Sequence, residues 1–372
     1  MSGPERLSVD LGRRSYEILV GDGLLAEAGR HIAPLVGKDR RLVVVSDSRV
    51  AALHLPALAA GLAVAGLDHR PVILPPGEAT KDFAHLAELA DAVLAGGAER
   101  GTLLVALGGG VIGDLTGLAA SLLLRGLDFV QVPTTLLAQV DSSVGGKTGI
   151  NTPQGKNLVG TFHQPRLVLA DLSVLDTLPR RELLAGYAEV VKYGLVGDAD
   201  FFAWLEHQGA ALIAGDKPLR QVAVMRSCAA KAAIVADDER EAGRRALLNF
   251  GHTFGHALEA ECGYSDALLH GEAVAIGLVM AFDLSARLGF CPAADAARVA
   301  RHFRAIGLPT RPPSAGGRRW PADRLIAHMQ RDKKVAGGRI TFVLARGIGQ
   351  AFVASGVPLD AVTALLEGSL AA

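Results

Sequence analysis

Strand and helix patterns alternate along the first half of the chain, and this alternation limits the folds that the chain can adopt. Residues 41–46, 70–74 and 102–107 are short runs rich in Val, Leu and Ile, and residues 83–95 have the spacing of a helix. Strands that alternate with helices pair in parallel and are covered on both faces. The sequence therefore predicts an α/β fold that begins with a Rossmann-like parallel sheet.

The pattern changes after residue 171. Residues 181 to about 305 have an almost wholly helical periodicity rich in Ala and Leu, and a segment with Pro179 and polar neighbours precedes them. A chain of 372 residues is also longer than one typical core requires. We therefore predict an N-terminal α/β domain over residues 1–176 and a mainly α-helical C-terminal domain over residues 177–372. Within the second domain we expect a strand at 339–344 and a last helix from Leu359.

Charge and cysteine content exclude several classes of protein. The 38 basic and 38 acidic residues balance, so no global field attracts nucleic acid or anionic lipid. Three widely spaced cysteines without a CxxC pair indicate reduced thiols. Charges throughout residues 1–20 argue against a signal peptide, and no stretch has the apolar length of a membrane span. We expect a soluble cytoplasmic protein without nucleic-acid or membrane partners.

Four polar residues, Arg245, Asn249, His252 and His256, stand at helical spacing in a run that is otherwise apolar. A helix that only buried a core would carry Leu or Ala there, because an unpaired buried polar group costs about 1–3 kcal/mol. The spacing predicts one helix whose polar face binds a divalent metal ion and an anion.

His270 and Glu189 are further candidates for such a metal site. Neutral imidazole is the commonest metal ligand, and a catalytic zinc often takes two His and one Glu. The pair His252 and His256 is weak evidence by itself, because Thr253 stands where a zinc-protease helix carries Glu. Structural histidines remain the alternative interpretation of that pair.

A glycine-rich motif follows the strand predicted at 102–107. Residues 108–113, GGGVIG, fit the G-x-G-x-x-G pattern and precede a helix predicted at 115–124. Such glycines let the backbone approach a pyrophosphate at a helix N-terminus. Asp114 departs from the usual pattern, since an acid there would face phosphates, and we expect it to contact a ribose, a nicotinamide or an ordered water. A purely structural turn is the alternative interpretation.

Several cations occur in Gly-rich or apolar segments. These are Lys147 after Asp141, Lys156 beside Asn157, Lys192 three residues after Glu189, Lys231 in an apolar helix, and the run 331–334. Solvated surface lysines are the alternative, and for Lys192 with Glu189 a surface ion pair. The number of cations exceeds what one phosphate requires, which indicates a substrate with two anionic groups.

Seven motifs together resemble the 3-dehydroquinate synthase family. They are GGGVIGD at 108–114, DSSVGGK at 141–147, GKN at 155–157, AEVVK at 188–192, NFGHTFGH at 249–256, HGE at 270–272 and RDKK at 331–334. The resemblance runs in order over roughly residues 7 to 345.

The resemblance implies an enzyme that converts 3-deoxy-D-arabino-heptulosonate 7-phosphate to 3-dehydroquinate and phosphate. It implies a catalytic NAD⁺, Zn²⁺ or Co²⁺, and a homodimer, with an NAD-binding first domain and a metal- and substrate-binding second domain. The implied sequence of steps is oxidation at C5, phosphate elimination, re-reduction, ring opening and an aldol closure.

The resemblance also assigns roles to individual residues. It implies Glu189, His252 and His270 as metal ligands. Implied substrate contacts are Lys147, Asn249, His256, Lys334 and a second subunit's Arg125 at the phosphate, Lys231 and Arg245 at the carboxylate, and Asp141, Asn157 and Lys192 at the hydroxyls. Implied cofactor contacts are Asp47, Glu78, Lys81, Gly109, Gly110, Val111, Ile112, Gly113, Asp114, Thr134, Thr135, Lys147, Lys156 and Thr177, of which Asp47 has the loosest match.

Three other functions are alternatives to a 3-dehydroquinate synthase activity. A polyol dehydrogenase would use NAD and zinc but would need neither a carboxylate clamp nor a phosphate site. Another sugar-phosphate cyclase could act on a substrate without a carboxylate, and Lys231 and Arg245 argue against it. A non-catalytic descendant would be expected to have lost ligands or cations, and none is missing from the motifs.

Overall fold

The structure is a computed structural model that describes residues 3–36, 41–241, 243–313, 320–331, 335–336 and 339–371. Its strands are β1 Glu5–Val9, β2 Tyr16–Gly21, β3 Leu42–Asp47, β4 His69–Leu74, β5 Leu103–Gly108, β6 Asp128–Pro133, β7 Lys147–Thr152, β8 Gly155–Phe162, β9 Leu167–Asp171, β10 Val335–Ala336, β11 Arg339–Ile340, β12 Phe342–Ala345 and β13 Ala351–Ala354. Its helices are α1 Ala28–Ile32, α2 Ser48–Val64, α3 Phe83–Ala95, α4 Gly110–Leu122, α5 Arg180–Gly197, α6 Ala199–Ala214, α7 Lys217–Asp237, α8 His252–Glu261, α9 His270–Arg287, α10 Ala293–Ile306, α11 Ala322–Arg331 and α12 Leu359–Ala371.

The chain divides into two compact units. Unit 1 contains Met1–Pro179 and Gly215–Glu239, and unit 2 contains Arg180–Ala214 and Arg240–Ala372. Helix α7 is therefore grouped with the N-terminal unit, although it follows two helices of unit 2 along the chain. The division into sequence-continuous domains at 176/177 stays a prediction.

Unit 1 is built on a seven-stranded sheet in the order β1-β2-β9-β6-β5-β3-β4. Only the edge pair β1–β2 is antiparallel, and every other neighbouring pair is parallel. Strand β5 is buried along its whole length, as expected of a parallel strand with both faces covered. Residues of α3 and α4 share a core with β3 and β5, which confirms the predicted Rossmann-like sheet.

The strand order of this sheet reverses beside β5. From β3 the chain first goes to β4 at one edge of the sheet. It then returns to the other side of β3, where β5, β6 and β9 follow in order away from that edge. In open α/β sheets, ligands bind outside the carboxyl ends of strands at such a reversal. The residues at these ends are Asp47, the last residue of β3, Gly109 after β5 and Thr134 after β6.

Unit 2 is mainly helical, as predicted, and α9 is its central helix. Helices α5, α8, α10 and α12 all pack against α9. Val274, Ile276, Leu278 and Phe282 of α9 are buried together with most of its other residues, so this helix is apolar on nearly every side. No helix in the described ranges combines the length and apolarity needed to cross a bilayer.

Several elements of the structure begin or end at residues other than those predicted from the sequence. The helix predicted at 115–124 begins at Gly110 instead, because Gly109 caps it directly after β5, and it ends at Leu122. The strand predicted at 339–344 is two short strands, Arg339–Ile340 and Phe342–Ala345, which pair with different partners. The helix predicted at 83–95 and the last helix from Leu359 are confirmed.

A buried pair joins α5 to α10 inside unit 2. The Tyr187 hydroxyl lies within hydrogen-bond distance of Nε2 of His302, at 3.1 Å. Burial lowers the pKa of His302 from 6.5 to about 4, although the carboxylate of Glu206 opposes this change. His302 is therefore neutral in the folded protein near neutral pH.

We expect the free energy of unfolding to fall as the pH drops from about 6.5 to about 4. In this window the unfolded chain binds a proton on His302 that the folded chain does not bind, so protonation favours unfolding. A pKa change of this size corresponds to about 3 kcal/mol. Urea unfolding of the His302→Gln variant across the same window should lack this component. An identical pH dependence in the variant and the unmodified protein would contradict the interpretation.

Candidate metal centre and active site

Glu189 and Lys192 form an ion pair inside unit 2. They lie one turn apart on α5, and their side chains are 0% and 1% exposed. Every residue of α5 from Ala185 to Val196 is buried. The alternative of a surface ion pair is therefore wrong, and a carboxylate is held where water cannot solvate it.

The polar stripe that the sequence places on one helix is divided between two elements. Arg245 and Asn249 lie on a 3-10 helix, Arg244–Asn249, whereas His252 and His256 lie on α8. Gly251 separates the two with a φ of +80°, and a Cβ there would lie 2.9 Å from the backbone nitrogen of Leu278. The prediction of one continuous helix is wrong, because the chain must turn where it passes closely against α9.

His252 and His270 both direct Nε2 towards Glu189. Each Nε2 atom lies 3.6 Å from Oε1 of Glu189. The other ring nitrogen of each residue is occupied, since Nδ1 of His252 lies 3.1 Å from the Phe250 carbonyl and Nδ1 of His270 lies 3.0 Å from Oε2 of Glu259. With Nδ1 as the donor, Nε2 carries the lone pair that can bind a metal.

The spacing of these three ligand atoms fits a shared metal ion. All three lie within 4.8 Å of one another. Two ligands at 2.0–2.1 Å from one tetrahedral Zn²⁺ are separated by about 3.3 Å, close to the distances found here. Among the described residues, Oε1 of Glu189 has no hydrogen-bond partner, whereas Oε2 is paired with Lys192. A buried, incompletely satisfied carboxylate opposite two imidazole lone pairs is suited to a divalent cation.

Two carboxylates control the charge of His270. Burial lowers the pKa of His270, but Glu259 and Glu189 outweigh burial and raise it to about 10. Without a metal ion, His270 therefore carries a proton between two carboxylates. A metal bound there would replace that proton, because only neutral imidazole is a ligand.

Close helix packing places His270 beside Glu189. Gly271 follows His270 in the first turn of α9, and a Cβ at Gly271 would lie 1.9 Å from the carbonyl oxygen of Ala185. Ala185 is one helical turn before Glu189 on α5. Only glycine permits this contact between backbones, and the contact brings the two ligands together.

Unit 1 contains a second polar cluster, centred on Lys81. This buried ammonium pairs with Asp114 and donates a hydrogen bond to Oδ1 of Asn157 across 2.6 Å. Burial raises the pKa of Asp114, and Lys81 is the main group that opposes this effect. Asn157 has a φ of +55°, which is uncommon for a residue with a Cβ. The contact with Lys81 holds the Asn157 side chain in that strained position.

The glycine-rich motif occupies the position that a dinucleotide loop requires. Gly109 is the N-cap of α4, and Gly110, Val111, Ile112 and Gly113 form its first turn before Asp114. The hydroxyl of Thr134 is buried and has no hydrogen-bond partner among the described residues. Thr135 caps the next turn by accepting from the amide of Ala138 across 3.1 Å. Backbone amides and an unsatisfied hydroxyl thus converge at the ends of β5 and β6.

Asp47 and Thr177, also predicted to bind the cofactor, have structural contacts. The Asp47 carboxylate is the N-cap of α2 and accepts from the amides of Arg49 and Val50 at 2.9 and 3.0 Å. Thr177 donates to the Val174 carbonyl and lies 2.9 Å from Nε2 of His54. These contacts give both residues a local structural role, and their cofactor roles stay predictions.

Asp141 and Lys231 are paired within unit 1. Lys231 of α7 is buried and donates to Oδ1 of Asp141 at 2.7 Å and to its carbonyl oxygen at 2.6 Å. Asp141 lies in a π-helical turn, Ala138–Ser142, a conformation that is frequent at functional sites. Lys231 is therefore not a solvated surface lysine.

The remaining predicted residues lie in more open positions. Lys147 is the exposed first residue of β7, and Lys156 has Nζ 3.8 Å from Oε1 of Glu78. Arg125 is exposed at the end of a 3-10 turn, with a φ of +70°. Lys334 lies outside the described residues.

Two residues that contact the predicted site are absent from the sequence-based predictions. Glu259 holds Nδ1 of His270, and its only sequence signal is its position three residues after His256. Asn151 donates to Glu78 across 2.7 Å and accepts from the Asn157 amide across 3.0 Å. Nothing in the spacing of Asn151 distinguishes it from a hairpin residue.

The chain is similar to known proteins over most of its length. The family models described as 3-dehydroquinate synthase N-terminal and C-terminal match residues 71–185 and 186–335. The chain is 63% identical over 366 residues to the 3-dehydroquinate synthase of Rhodospirillum rubrum, an alignment that covers 98% of this chain and 95% of that protein.

The chain belongs to the 3-dehydroquinate synthase family. Two solved structures are also similar to this chain over almost its whole length. One is 2-deoxy-scyllo-inosose synthase complexed with carbaglucose-6-phosphate, NAD⁺ and Co²⁺, at a TM-score of 0.87 and 25% identity, covering 98% of this chain and 100% of that one. The other is 2-epi-5-epi-valiolone synthase from Streptomyces hygroscopicus with NAD⁺ and Zn²⁺, at a TM-score of 0.86 and 31% identity, covering 99% and 98%.

Zn²⁺ should raise the melting temperature of this 3-dehydroquinate synthase family member, and Gly271→Ala should reduce that increase. A ligand at 100 times its Kd stabilises the folded state by about 2.7 kcal/mol. The added Cβ would push His270 away from Glu189 and weaken metal binding. Thermal unfolding with and without Zn²⁺, after treatment with a chelator, measures the effect.

Gly197→Ala is the matched control, since Gly197 ends α5 and a Cβ there would have no atom within 4 Å. This variant should keep the full Zn²⁺-dependent increase. Equal increases in Gly271→Ala and Gly197→Ala would exclude the three-ligand centre as the stabilising site.

Proposed function

We propose that the protein is a 3-dehydroquinate synthase that converts 3-deoxy-D-arabino-heptulosonate 7-phosphate to 3-dehydroquinate and phosphate. The observation that carries this proposal is 63% identity to a curated 3-dehydroquinate synthase over 98% of the chain. The proposed steps are transient oxidation at C5, phosphate elimination, re-reduction, ring opening and intramolecular aldol closure. This reaction belongs to the shikimate pathway of aromatic amino acid biosynthesis.

We propose NAD⁺ and a divalent metal ion, Zn²⁺ or Co²⁺, as the cofactors. Bound NAD⁺ supplies a reversible hydride acceptor, and the metal ion supplies a Lewis acid that makes a substrate hydroxyl easier to deprotonate. The metal-bound and NAD⁺-bound structures of the two related synthases support this pair of cofactors. The chemistry of the Glu189, His252 and His270 donor group, described above, supports the same conclusion.

The residues proposed to bind NAD⁺ surround the carboxyl ends of β3, β5 and β6. The amides of the first turn of α4 would bind the pyrophosphate, whose charge suits a helix N-terminus. Thr134 has a buried hydroxyl to donate, and Lys81 keeps Asp114 in a fixed position. The full proposed group is Asp47, Glu78, Lys81, Gly109, Gly110, Val111, Ile112, Gly113, Asp114, Thr134, Thr135, Lys147, Lys156 and Thr177.

Substrate groups are assigned by charge and hydrogen-bonding capacity. Arg245 suits the carboxylate, because a guanidinium can make two parallel hydrogen bonds to it, and Lys231 would add a second cation. Lys147, Asn249, His256, Lys334 and Arg125 of a second subunit are proposed for the phosphate. Asp141, Asn157 and Lys192 are proposed for the substrate hydroxyls, and Lys192 would do so while paired with the metal ligand Glu189.

A homodimer is part of the proposal, and unit 1 offers a surface for it. Leu122, Leu158, Val159 and Phe162 are all large apolar residues that are more than a third exposed. The Thr161 hydroxyl donates to Ser121 across 2.9 Å, which joins β8 to the end of α4 beside this surface. Arg125 follows three residues after Leu122, in a left-handed turn that holds it outward.

We also propose a cytoplasmic location and the two sequence domains, 1–176 for NAD⁺ and 177–372 for metal and substrate. Cys228, Cys262 and Cys291 are all free thiols, which suits a reducing compartment.

The purified protein, supplied with NAD⁺ and Zn²⁺, should release phosphate from 3-deoxy-D-arabino-heptulosonate 7-phosphate without net NADH. Hydride returns to the substrate in the proposed reaction, so absorbance of NADH should not accumulate while 3-dehydroquinate forms. Steady NADH accumulation on simple polyols would identify a dehydrogenase instead. Turnover of sedoheptulose 7-phosphate or glucose 6-phosphate, with none of the proposed substrate, would identify another cyclase.

Mixing the Arg125→Ala and His256→Ala variants should restore activity that neither variant has alone. In a hybrid dimer one site would combine an intact His256 with the intact Arg125 of the second subunit. Random subunit exchange would make about half of the dimers hybrid, and each hybrid would have one intact active site and one inactive site. The mixture should therefore have about a quarter of the normal activity. Each variant incubated alone is the control. No recovery, with subunit exchange shown by differently tagged chains, would remove Arg125 from the site.

A further inference from the structure

Glu259 is a buried carboxylate that the proposed reaction does not use. It lies on α8, two helical turns after His252, and its side chain is 2% exposed. Its Oε2 atom accepts a hydrogen bond from Nδ1 of His270 across 3.0 Å. Helix α8 therefore supplies one proposed metal ligand and also the group that orients another.

Burial of this carboxylate requires a reason. A charged carboxylate inside a protein is destabilising unless it is paired or hydrogen-bonded, and an apolar residue would pack there at no such cost. Glu259 is instead placed against the ring nitrogen of His270 that faces away from Glu189. A carboxylate behind a metal-bound histidine is a recurrent arrangement, because it fixes the tautomer and the orientation of the ring.

The donor atoms of His256, Glu259 and His270 also lie within 4.8 Å of one another, so Glu259 could alternatively be a ligand of a second metal ion. A neutral imidazole has only one lone pair for a metal. His270 with hydrogen on Nδ1 presents that pair from Nε2, towards the incompletely satisfied carboxylate of Glu189. The geometry therefore favours the metal on the Glu189 side and a hydrogen bond on the Glu259 side.

We propose that Glu259 is a positioning residue that holds His270 with hydrogen on Nδ1 and Nε2 directed at the metal. This inference rests on the proposed function, because it concerns the same metal ion. It adds a residue whose effect is transmitted through His270 and which touches neither substrate nor cofactor. Losing such a partner typically weakens metal affinity 10- to 100-fold.

The test measures Zn²⁺ affinity of the full-length protein directly, by competition with a chromophoric chelator and without substrate. Glu259→Ala should raise the Kd for Zn²⁺ 10- to 100-fold. Glu259→Gln should have a smaller effect, since its amide oxygen can still accept from Nδ1 but carries no charge. The visible spectrum of the Co²⁺-loaded protein should change in Glu259→Ala, because the orientation of one ligand changes.

Glu261 provides a matched control on the same helix. Its side chain is only 5% exposed, but it pairs with Arg324 at 2.9 Å and with His328 at 3.1 Å, away from the ligands. Glu261→Gln should lower the melting temperature without changing the Zn²⁺ Kd or the Co²⁺ spectrum. A purely structural role for Glu259 would likewise lower the melting temperature of Glu259→Ala without changing its Zn²⁺ Kd or Co²⁺ spectrum, and that result would overturn the proposal.

Other outcomes separate this proposal from the proposed function. An unchanged Kd in Glu259→Ala, with the unmodified protein active on 3-deoxy-D-arabino-heptulosonate 7-phosphate, overturns only the role of Glu259. Two Zn²⁺ ions per chain, reduced to one by Glu259→Ala with the remaining Kd unchanged, would make Glu259 a ligand instead. Absence of Zn²⁺ binding by the unmodified protein would overturn the metal centre itself and the positioning role with it.

Discussion

The carboxylate of Glu189, buried in the middle of an apolar helix, is the constraint on which the structure of unit 2 depends. Transfer of an isolated carboxylate into a medium of low polarity costs several kcal/mol even after relaxation, so it must have partners. Lys192 supplies one positive charge from the same helix, and His252 and His270 approach from α8 and α9. The packing of α5, α8 and α9 is thereby tied to an electrostatic requirement as well as to burial of apolar surface.

Unit 1 meets a similar requirement with a different solution. One of its buried charges, Lys81, is a cation, and it is satisfied by Asp114 from the start of α4 and by Asn157 from β8. The left-handed backbone at Asn157 costs of order 1–3 kcal/mol, and hydrogen bonds from Lys81 and to Asn151 compensate for it. Strain of this kind is expected where a side chain must be held in one position, and here it lies beside the ends of the parallel strands.

The local sequence pattern predicted most of this fold. The wrong predictions arise where residues that are distant in sequence make contact. The helix 83–95 and the parallel strands follow from periodicity and β-branched runs, which depend on neighbouring residues alone. The continuous helix through Arg245 and His256 was wrong because Gly251 turns against α9, a contact that spacing does not record. The ligand group needed the family resemblance, since residue spacing left His256 and His270 equally eligible. Glu259 and Asn151 contact other site residues only in the folded chain, and residue spacing alone does not single them out.

The net charge of the groups around the metal centre differs between the protonated site and the metal-bound site. Glu189 and Glu259 contribute two negative charges and Lys192 one positive charge, so one further positive charge makes these groups neutral. Without metal, His270 supplies that charge, which is why its pKa is raised to about 10. A divalent ion with neutral His270 would leave the same groups with one net positive charge. Replacement of the proton by the metal would therefore make these groups net positive, which favours an anionic substrate, so the same two carboxylates link metal loading to substrate charge.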